Sequence, residues 1–428
     1  LMKKKFVAES FPCHARWIAF AAAGLVSLIP RYAIADAGDT LNVTVGSTFT
    51  YDSNIFRLSS TIDPERFVGK PTRADQIIIS TATLNLNKSY SMQRFEFNGS
   101  LVDNRYNNFD FLNFVAKNYT AAWNWFITPY FHGRMSSGHR EALNNFADLT
   151  GFVNSTNRNL RTDDNLRFDA VYEIDGAWRL IGGFAQDTRK NSRLNVQDFN
   201  NRVRSIEGGI RYAFPSGASF TYKVRSGAGQ FINRAEPNAS ALFDTRFSEM
   251  EHDFQMIWPI TAKTKIDGRV GHLERTHAHF SQRNFSGIVG NFNLNWEVTG
   301  KTRITASWAR DLFNSQTSLN FQLSGFEIFS SSFVVNNRFS LQPVWQISDK
   351  MALRLRYDYT MRDFRGAVVV LPNQDRSDAV HSGLIAFDWR PMNALLVSAT
   401  LQRDHRSSNH RGFDYDSAAA SVSARLNF

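Results

Sequence analysis

Met351-Ala352-Leu353-Arg354-Leu355-Arg356-Tyr357-Asp358-Tyr359-Thr360-Met361 alternates without a break. Apolar residues hold the odd positions, and charged or small residues hold the even ones. A strand with one apolar face has this period of two; a helix repeats near 3.6. The same pattern recurs in Phe95-Glu96-Phe97-Asn98, in Leu166–Tyr172, in Phe292–Trp296 and in the final segment, Ser417 to Phe428. Eighteen such runs lie near 40–56, 74–87, 92–106, 111–127, 130–140, 160–174, 177–189, 201–214, 218–231, 243–258, 264–276, 284–298, 302–314, 329–347, 351–363, 378–390, 394–405 and 413–428. They are longer than most strands of water-soluble sheets and suit tilted strands that cross a bilayer.

The connections between the runs alternate in length. Every even-numbered run is followed by a short one: Lys88–Ser91, Thr128-Pro129, Asp175-Gly176, Pro215-Ser216-Gly217, Pro259–Lys263, Thr299-Gly300-Lys301, Ser348-Asp349-Lys350 and Pro391-Met392-Asn393. These are hairpin residues, Asp-Gly above all. Most odd-numbered runs are followed by long connections: 57–73, 141–159, 190–200, 232–242, 315–328 and 364–377. Outer-membrane barrels have short periplasmic turns and long external loops in this rhythm. Trp125, Trp178, Trp258, Trp296, Trp345 and Trp389 each lie within three residues of a short turn, the level at which tryptophan collects at a membrane–water interface. The expectation is an all-β transmembrane antiparallel barrel of 16–18 strands, 18 by this count, with both ends of the barrel on the short-turn side.

Composition agrees. The chain has 428 residues, 43% hydrophobic and 14% aromatic, with a mean hydropathy of −0.34. The longest apolar stretch, Trp17–Ile29, is too short to cross a bilayer as a helix, which excludes a helical membrane bundle. Lys3, Lys4 and Lys5, the apolar Ala19–Ile29 and Ala33-Ile34-Ala35 have the order of a secretory signal with its cleavage site. Residues 1–35 are expected to be that signal and 36–428 a single barrel. The one cysteine, Cys13, falls in the signal, so a mature chain would have neither disulfides nor thiolate chemistry. The expected location is the outer membrane of a Gram-negative bacterium.

The parity that sends apolar residues to lipid sends charges to the lumen. Positive residues on the inward parity are Arg94, Arg167, Arg179, Arg211, Lys223, Arg225, Lys265, Arg269, Arg303, Arg338, Arg354, Arg356, Arg390 and Arg425. Against them stand Glu96, Asp169, Glu173, Glu207, Asp267, Glu297, Asp358 and Asp388. Rows of Arg and Lys favour anionic solutes, whereas cross-strand pairing would cancel them. Arg354 and Arg356 should form a local positive step. Phe126 and the loop residues Phe109, Phe146, Phe199, Phe231, Phe326 and Phe329 are placed either to stack on sugar rings or to pack loops onto the wall.

No catalytic site is expected. His277-Ala278-His279 offers two imidazoles to a metal but has no acidic or thiolate cluster to complete the shell. His405, His410, Asp404, Ser407 and Ser408 supply the residue types of a hydrolase rim without a surrounding motif. No phosphate-binding glycine loop is present, no cofactor is expected, and the positive charge is spread over strands rather than gathered for nucleic acid.

The opening Leu41-Asn42-Val43-Thr44-Val45-Gly46-Ser47-Thr48-Phe49-Thr50-Tyr51-Asp52-Ser53-Asn54-Ile55-Phe56-Arg57 resembles that of EpsL-type outer-membrane proteins, within the BBP2-like β-barrel porins. Its informative part is the Tyr-Asp-x-Asn-hydrophobic-Phe-Arg string. The resemblance implies a link to exopolysaccharide biosynthesis: a passive exit for a polysaccharide chain, held in outer-membrane lipid and fed by periplasmic or inner-membrane export components. The competing expectation is a general or anion-selective porin for small solutes. A long inward-folded loop would favour the porin, and 141–159 is the candidate for it.

Overall fold

The computed structural model describes residues 40–144, 146, 158–193, 197, 199–234, 244–314, 331–368 and 375–428. The expected signal segment therefore lies outside the described residues, as do Phe326 and Phe329 and most of 141–159. The strands are β1 (Leu41–Asp52), β2 (Asp75–Tyr90), β3 (Gln93–Tyr106), β4 (Phe114–Thr128), β5 (Phe131–Leu143), β6 (Leu160–Glu173), β7 (Trp178–Asn191), β8 (Asn201–Ala213) and β9 (Ser219–Phe231). They continue as β10 (Arg246–Thr261), β11 (Thr264–His277), β12 (Phe285–Thr299), β13 (Thr302–Asn314), β14 (Phe333–Ser348), β15 (Met351–Arg365), β16 (Ser377–Met392), β17 (Leu395–Ser408) and β18 (Tyr415–Asn427). One short helix, α1 (Pro64–Val68), sits in the first long loop.

Each strand pairs antiparallel with its neighbours in the chain, and β1 also pairs with β18, from Thr44–Asn427 to Asp52–Ala419. The 18-stranded sheet is therefore a closed antiparallel barrel. Val43 and Phe428 exchange backbone hydrogen bonds at 2.9 and 2.7 Å, which puts the start of β1 and the end of β18 together on the short-turn side. The turns there are tight: Ser91-Met92 joins β2 to β3, with Ser91 at φ +52°, and Gly217 turns at φ +82° before β9. In the β6–β7 turn the Asp175 carboxylate accepts from the amides of Trp178 and Ala177, at 2.6 and 2.7 Å. Those two bonds, Trp178's first, hold its pKa below the usual carboxylate range.

Directly paired residues share a face, so the ladders fix one parity around the wall. On the outward face Trp178, Trp258, Trp296, Trp345 and Trp389 are all exposed. Trp125 departs from the expected belt. It has outward parity but is buried, stacked on Phe168 at 5.7 Å and edge-on to Phe131 at 5.1 Å. Gly133 makes room for it, since a side-chain carbon there would collide with the indole ring. Trp123 takes the exposed place, stacked on Phe95, with its Nε1 donating to Gln93 at 2.8 Å.

The long-loop end is partly roofed from inside. Ile55, Phe56, Leu58, Ile62 and Val68 of the first loop pack with Phe109, Leu112 and Phe146 against Ile77, which has inward parity on β2. The loop 53–74 thus folds inward, and of the described residues of 141–159 Leu143 and Phe146 pack with it. A second apolar cluster forms where the β12–β13 ladder stops at Gly290–Arg310 while both strands continue. There Phe333, Val335 and Leu312, on outward parity, pack against Leu273, Phe285 and Val289, on inward parity. The β13–β14 ends therefore lean to the lumen side of the β11–β12 hairpin and narrow the mouth.

Two outcomes follow. Lipid-attached quenchers should dim Trp178, Trp258, Trp296, Trp345 and Trp389 in single-tryptophan variants and leave Trp125 bright; equal quenching of Trp125 would refute its packing. Phe56→Ala should cost the first loop about 3–5 kcal/mol of packing. Limited proteolysis should then cut within 59–74 while the barrel keeps its heat-modifiable mobility.

Candidate functional site

The lumen wall is the candidate site. The ladders place Arg94, Arg167, Arg179, Arg211, Lys223, Arg225, Lys265, Arg269, Arg303, Arg338, Arg354, Arg356, Arg390 and Arg425 on the inward parity of their strands. The same parity carries carboxylates beyond those counted from the sequence, among them Asp163, Glu249, Glu251, Asp253, Asp378 and Asp404. These lie in strands whose faces are mixed, or where apolar residues also point inward, so simple alternation passes over them.

Most of the charge is paired across strands. Glu251 is the centre of the densest group. It binds Arg225 of β9 and Arg269 of β11, the latter at 2.5 Å, and Arg269 also reaches Asp253 at 3.3 Å. Glu251 and Asp253 are almost fully covered by these guanidinium groups. Lys223 sits 3.0 Å from Glu207, and together they floor a recess of about 300 Å³. Arg354 is held bidentate by Asp388 at 2.6 and 2.9 Å, and Arg356 by Asp358 at 2.5 Å. The expected positive step on β15 is thus neutralised residue by residue. Arg94 pairs with Glu96, Arg179 with Glu173 and Arg303 with Glu297.

Among the described residues, Arg167, Arg211, Lys265, Arg338, Arg390 and Arg425 make no ion pair. Four of them, Arg211, Lys265, Arg390 and Arg425, lie within two residues of a strand end on the short-turn side. With Arg94, Arg179, Arg303 and Arg354 they form a cationic collar at that end. The inward carboxylates at the same level are Glu96, Glu173, Asp267, Glu297 and Asp388.

Phe109 and Phe146 are buried in the loop cluster, so they pack the first loop down and present no ring to a sugar. Phe231 is buried against Phe247 and carries the Arg234 guanidinium 3.5 Å over its ring. Phe126 points inward and stacks on His132 at 4.9 Å. His279 is taken up by Asp244, 2.9 Å away, whose carboxylate also accepts the His279 and Phe280 amides. Asp404 and His405 face opposite sides of β17: Asp404 accepts from Ser382 inside, while His405 meets Asp416 outside. They cannot act together on one substrate. No group of metal-ligating side chains occurs among the described residues.

The string Tyr51–Arg57 has a structural part that the sequence did not disclose. Asp52 accepts from the Asn54 amide, the Arg57 guanidinium and the Ser417 hydroxyl, all at 2.9 Å. Asn54 bonds the Leu58 amide and carbonyl and the Asp416 carbonyl. Phe56 enters the loop core. The string therefore nucleates the first loop and ties it to β18 across the seam.

Residues 259–428 match the family described as "Putative beta-barrel porin 2". No curated protein matches the chain. In fold it is similar to OccK1 (OpdK) of Pseudomonas aeruginosa, at 9% identity and TM-score 0.46, covering 91% of this chain and 99% of that one. A BenF-like porin from Pseudomonas fluorescens gives 9% and 0.48, covering 91% and 98%. OccAB3 of Acinetobacter baumannii gives 10% and 0.46, covering 92% and 100%. Among the described residues no helix is long and apolar enough to cross a membrane. The chain crosses with strands, as a barrel of the Gram-negative outer membrane, its short turns on the periplasmic side.

Paired and unpaired charge can be told apart by measurement. Glu251→Gln should release Arg225 and Arg269 and raise anion preference in planar-bilayer reversal potentials. Arg269→Gln should leave Glu251 and Asp253 less compensated and lower it. Shifts of the same sign in both variants would refute the network.

Proposed function

We propose that the barrel is a passive outer-membrane channel for small anionic solutes. The observation that carries this reading is the periplasmic collar, where Arg211, Lys265, Arg390 and Arg425 face the lumen without carboxylate partners. An unpaired cation in a watery lumen acts over roughly 8 Å at physiological salt. The four stand on β8, β11, β16 and β18, two or more inter-strand spacings of about 4.8 Å apart, so they act as separate attractive points around the rim. Conduction also requires that an ion leave. The compensated ladder above the collar, centred on Glu251, gives weak successive contacts instead of one deep well. The porin description of the matched family supports a channel of this kind.

Exit of an extracellular polysaccharide is the second reading, favoured by the resemblance of the Tyr51–Arg57 string. Two observations weigh against it. Asp52, Asn54, Phe56 and Arg57 are each engaged in folding the first loop, so the string speaks for architecture rather than cargo. The mouth is narrowed by that loop and by the leaning β13–β14 ends, which suits small solutes better than a polymer. Under the polymer reading, the collar would be the docking face for a periplasmic export component.

Planar-bilayer recordings in a potassium chloride gradient test the proposal. The native barrel should prefer chloride. The variant R211Q/K265Q/R390Q/R425Q should lower the chloride-to-potassium permeability ratio by about twofold or more. A cation-selective native barrel, or an unchanged ratio in the variant, would overturn it. Block by long anionic oligosaccharides but not by small carboxylates would favour the polymer instead.

A further inference from the structure

The outward face carries charge as well, and in one sector its signs are not mixed. On β7, β8 and β10 the outward parity holds Lys190, Arg202, Arg204 and Arg246 near the long-loop end. The outward residues beside them on these strands are neutral: Gln186 and Thr188 on β7, Ala228 and Gln230 on β9, Ser248 on β10. On the flanking β6 the outward Asp164, opposite Thr188, is taken up by His139 at 2.6 Å. None of these four cations makes an ion pair among the described residues. Arg204 donates to Gln186 at 2.8 Å, and the Arg202 Nε is buried without a hydrogen-bond partner.

Other sectors of the same face are built differently. Arg105 pairs with Asp103 at 2.8 Å, and Arg403 lies 3.7 Å from Asp416. Lys117 has the Glu141 carboxylate on its own amide, at 2.8 Å. The outward sector from β7 to β10 thus gathers four cations without ion pairs, whereas outward Arg105, Arg365 and Arg403 each have a neighbouring carboxylate and Arg310 stands singly, bonded to Asn337.

Its height is informative. A strand residue rises about 3.3 Å, or roughly 2.5 Å along the axis of a barrel tilted near 40°. Arg204 stands eight residues above Tyr212, which pairs with the girdle residue Trp178; Lys190 stands twelve above Trp178 itself. The patch therefore spans roughly 20–30 Å above the periplasmic girdle and straddles the top of an apolar band about 25 Å tall. Just below it Ile206, 64% exposed, still faces lipid. Arg202 and Arg246 flank Gln230 in one row, so they are about 10 Å apart, two inter-strand spacings.

We infer that this patch binds the phosphates of an anionic glycolipid in the outer leaflet. The acyl chains would lie on the apolar face around Ile206, and the phosphorylated sugars would meet the four cations. A single phosphate needs only one or two of them, whereas a headgroup with two phosphates engages the whole row. Guanidinium groups suit this task, because they bind phosphate oxygens in a planar fork.

The test uses the full-length barrel purified in detergent and native mass spectrometry of its lipid complexes. The probes are bis-phosphorylated lipid A, its dephosphorylated form and phosphatidylglycerol. The native barrel should retain bis-phosphorylated lipid A in preference to both others. K190Q/R202Q/R204Q/R246Q should weaken retention by about tenfold or more, since four charge-assisted contacts are lost together. Arg403→Gln, at an outward cation already paired, should leave it unchanged. If the quadruple variant does not fold, judged by heat-modifiable mobility, R202Q/R204Q decides with a smaller loss. Equal retention by native and variant barrels, or of the dephosphorylated lipid, would overturn the inference. Equal retention of phosphatidylglycerol would also overturn it, by making the patch a general contact for anionic lipid.

Discussion

In hydrocarbon, every backbone N–H and C=O must find its partner within the protein. For a sheet that demand has one solution: the last strand must pair with the first. Here β1 meets β18 over nine residue pairs, and the rest of the design depends on that seam. The seam is reinforced at both ends. Val43 and Phe428 exchange backbone bonds at the periplasmic end. At the external end Asp52 receives Ser417, and Asn54 reaches the Asp416 carbonyl. Anchoring the first loop across the seam turns a chain-closing contact into the base of a folded cap.

Closure also makes every strand two-sided. A residue's parity decides whether it meets lipid or water, and a slip of one residue would exchange the two faces. The wall guards against such a slip by making both faces costly to invert. Outward apolar side chains would enter water, and inward ion pairs such as Arg354–Asp388 would enter hydrocarbon. The outward cations of β7–β10 depart from that logic only where the apolar band ends, which is why they can face outward at all.

The barrel was legible because alternation and turn residues are local properties. Met351–Met361 announces its strand without reference to any other part of the chain, and Asp175-Gly176 announces its hairpin. What pairs with what is not local. Arg354 and Arg356 look like a positive step until register brings Asp388 across from β16 and leaves Asp358 beside Arg356. Trp125 looks like a belt residue until Gly133, on the next strand, opens a place beneath it. Glu251 gives no warning in sequence that cations from both flanking strands converge on it. The packing of the first loop follows its apolar content: Ile55, Phe56, Leu58, Ile62 and Val68 give 53–74 much to bury, while most of 141–159, the loop expected to fold inward, lies outside the described residues. The aromatic loop residues obeyed the same rule, Phe109 and Phe146 serving the roof rather than the solute.

The same distinction between local and cross-strand information explains where selectivity can reside. A cation counted from sequence contributes to the field of a channel only to the extent that no carboxylate sits against it. In the middle of the wall each strand has neighbours on both sides at full length, so partners are plentiful and most charge is compensated, as around Glu251; Arg167 and Arg338 are the exceptions among the inward cations named above. At the periplasmic rim the residues directly across from the unpaired cations carry no carboxylate: Arg179 and Thr221 beside Arg211, Pro259 and Asn295 beside Lys265, Gly46 and Leu396 beside Arg425. Register, rather than the number of rim carboxylates, leaves these cations without an ion pair there. Under the channel proposed here, attraction for anions would be set at the rim, and the compensated wall above it would keep a solute from binding too tightly to move on.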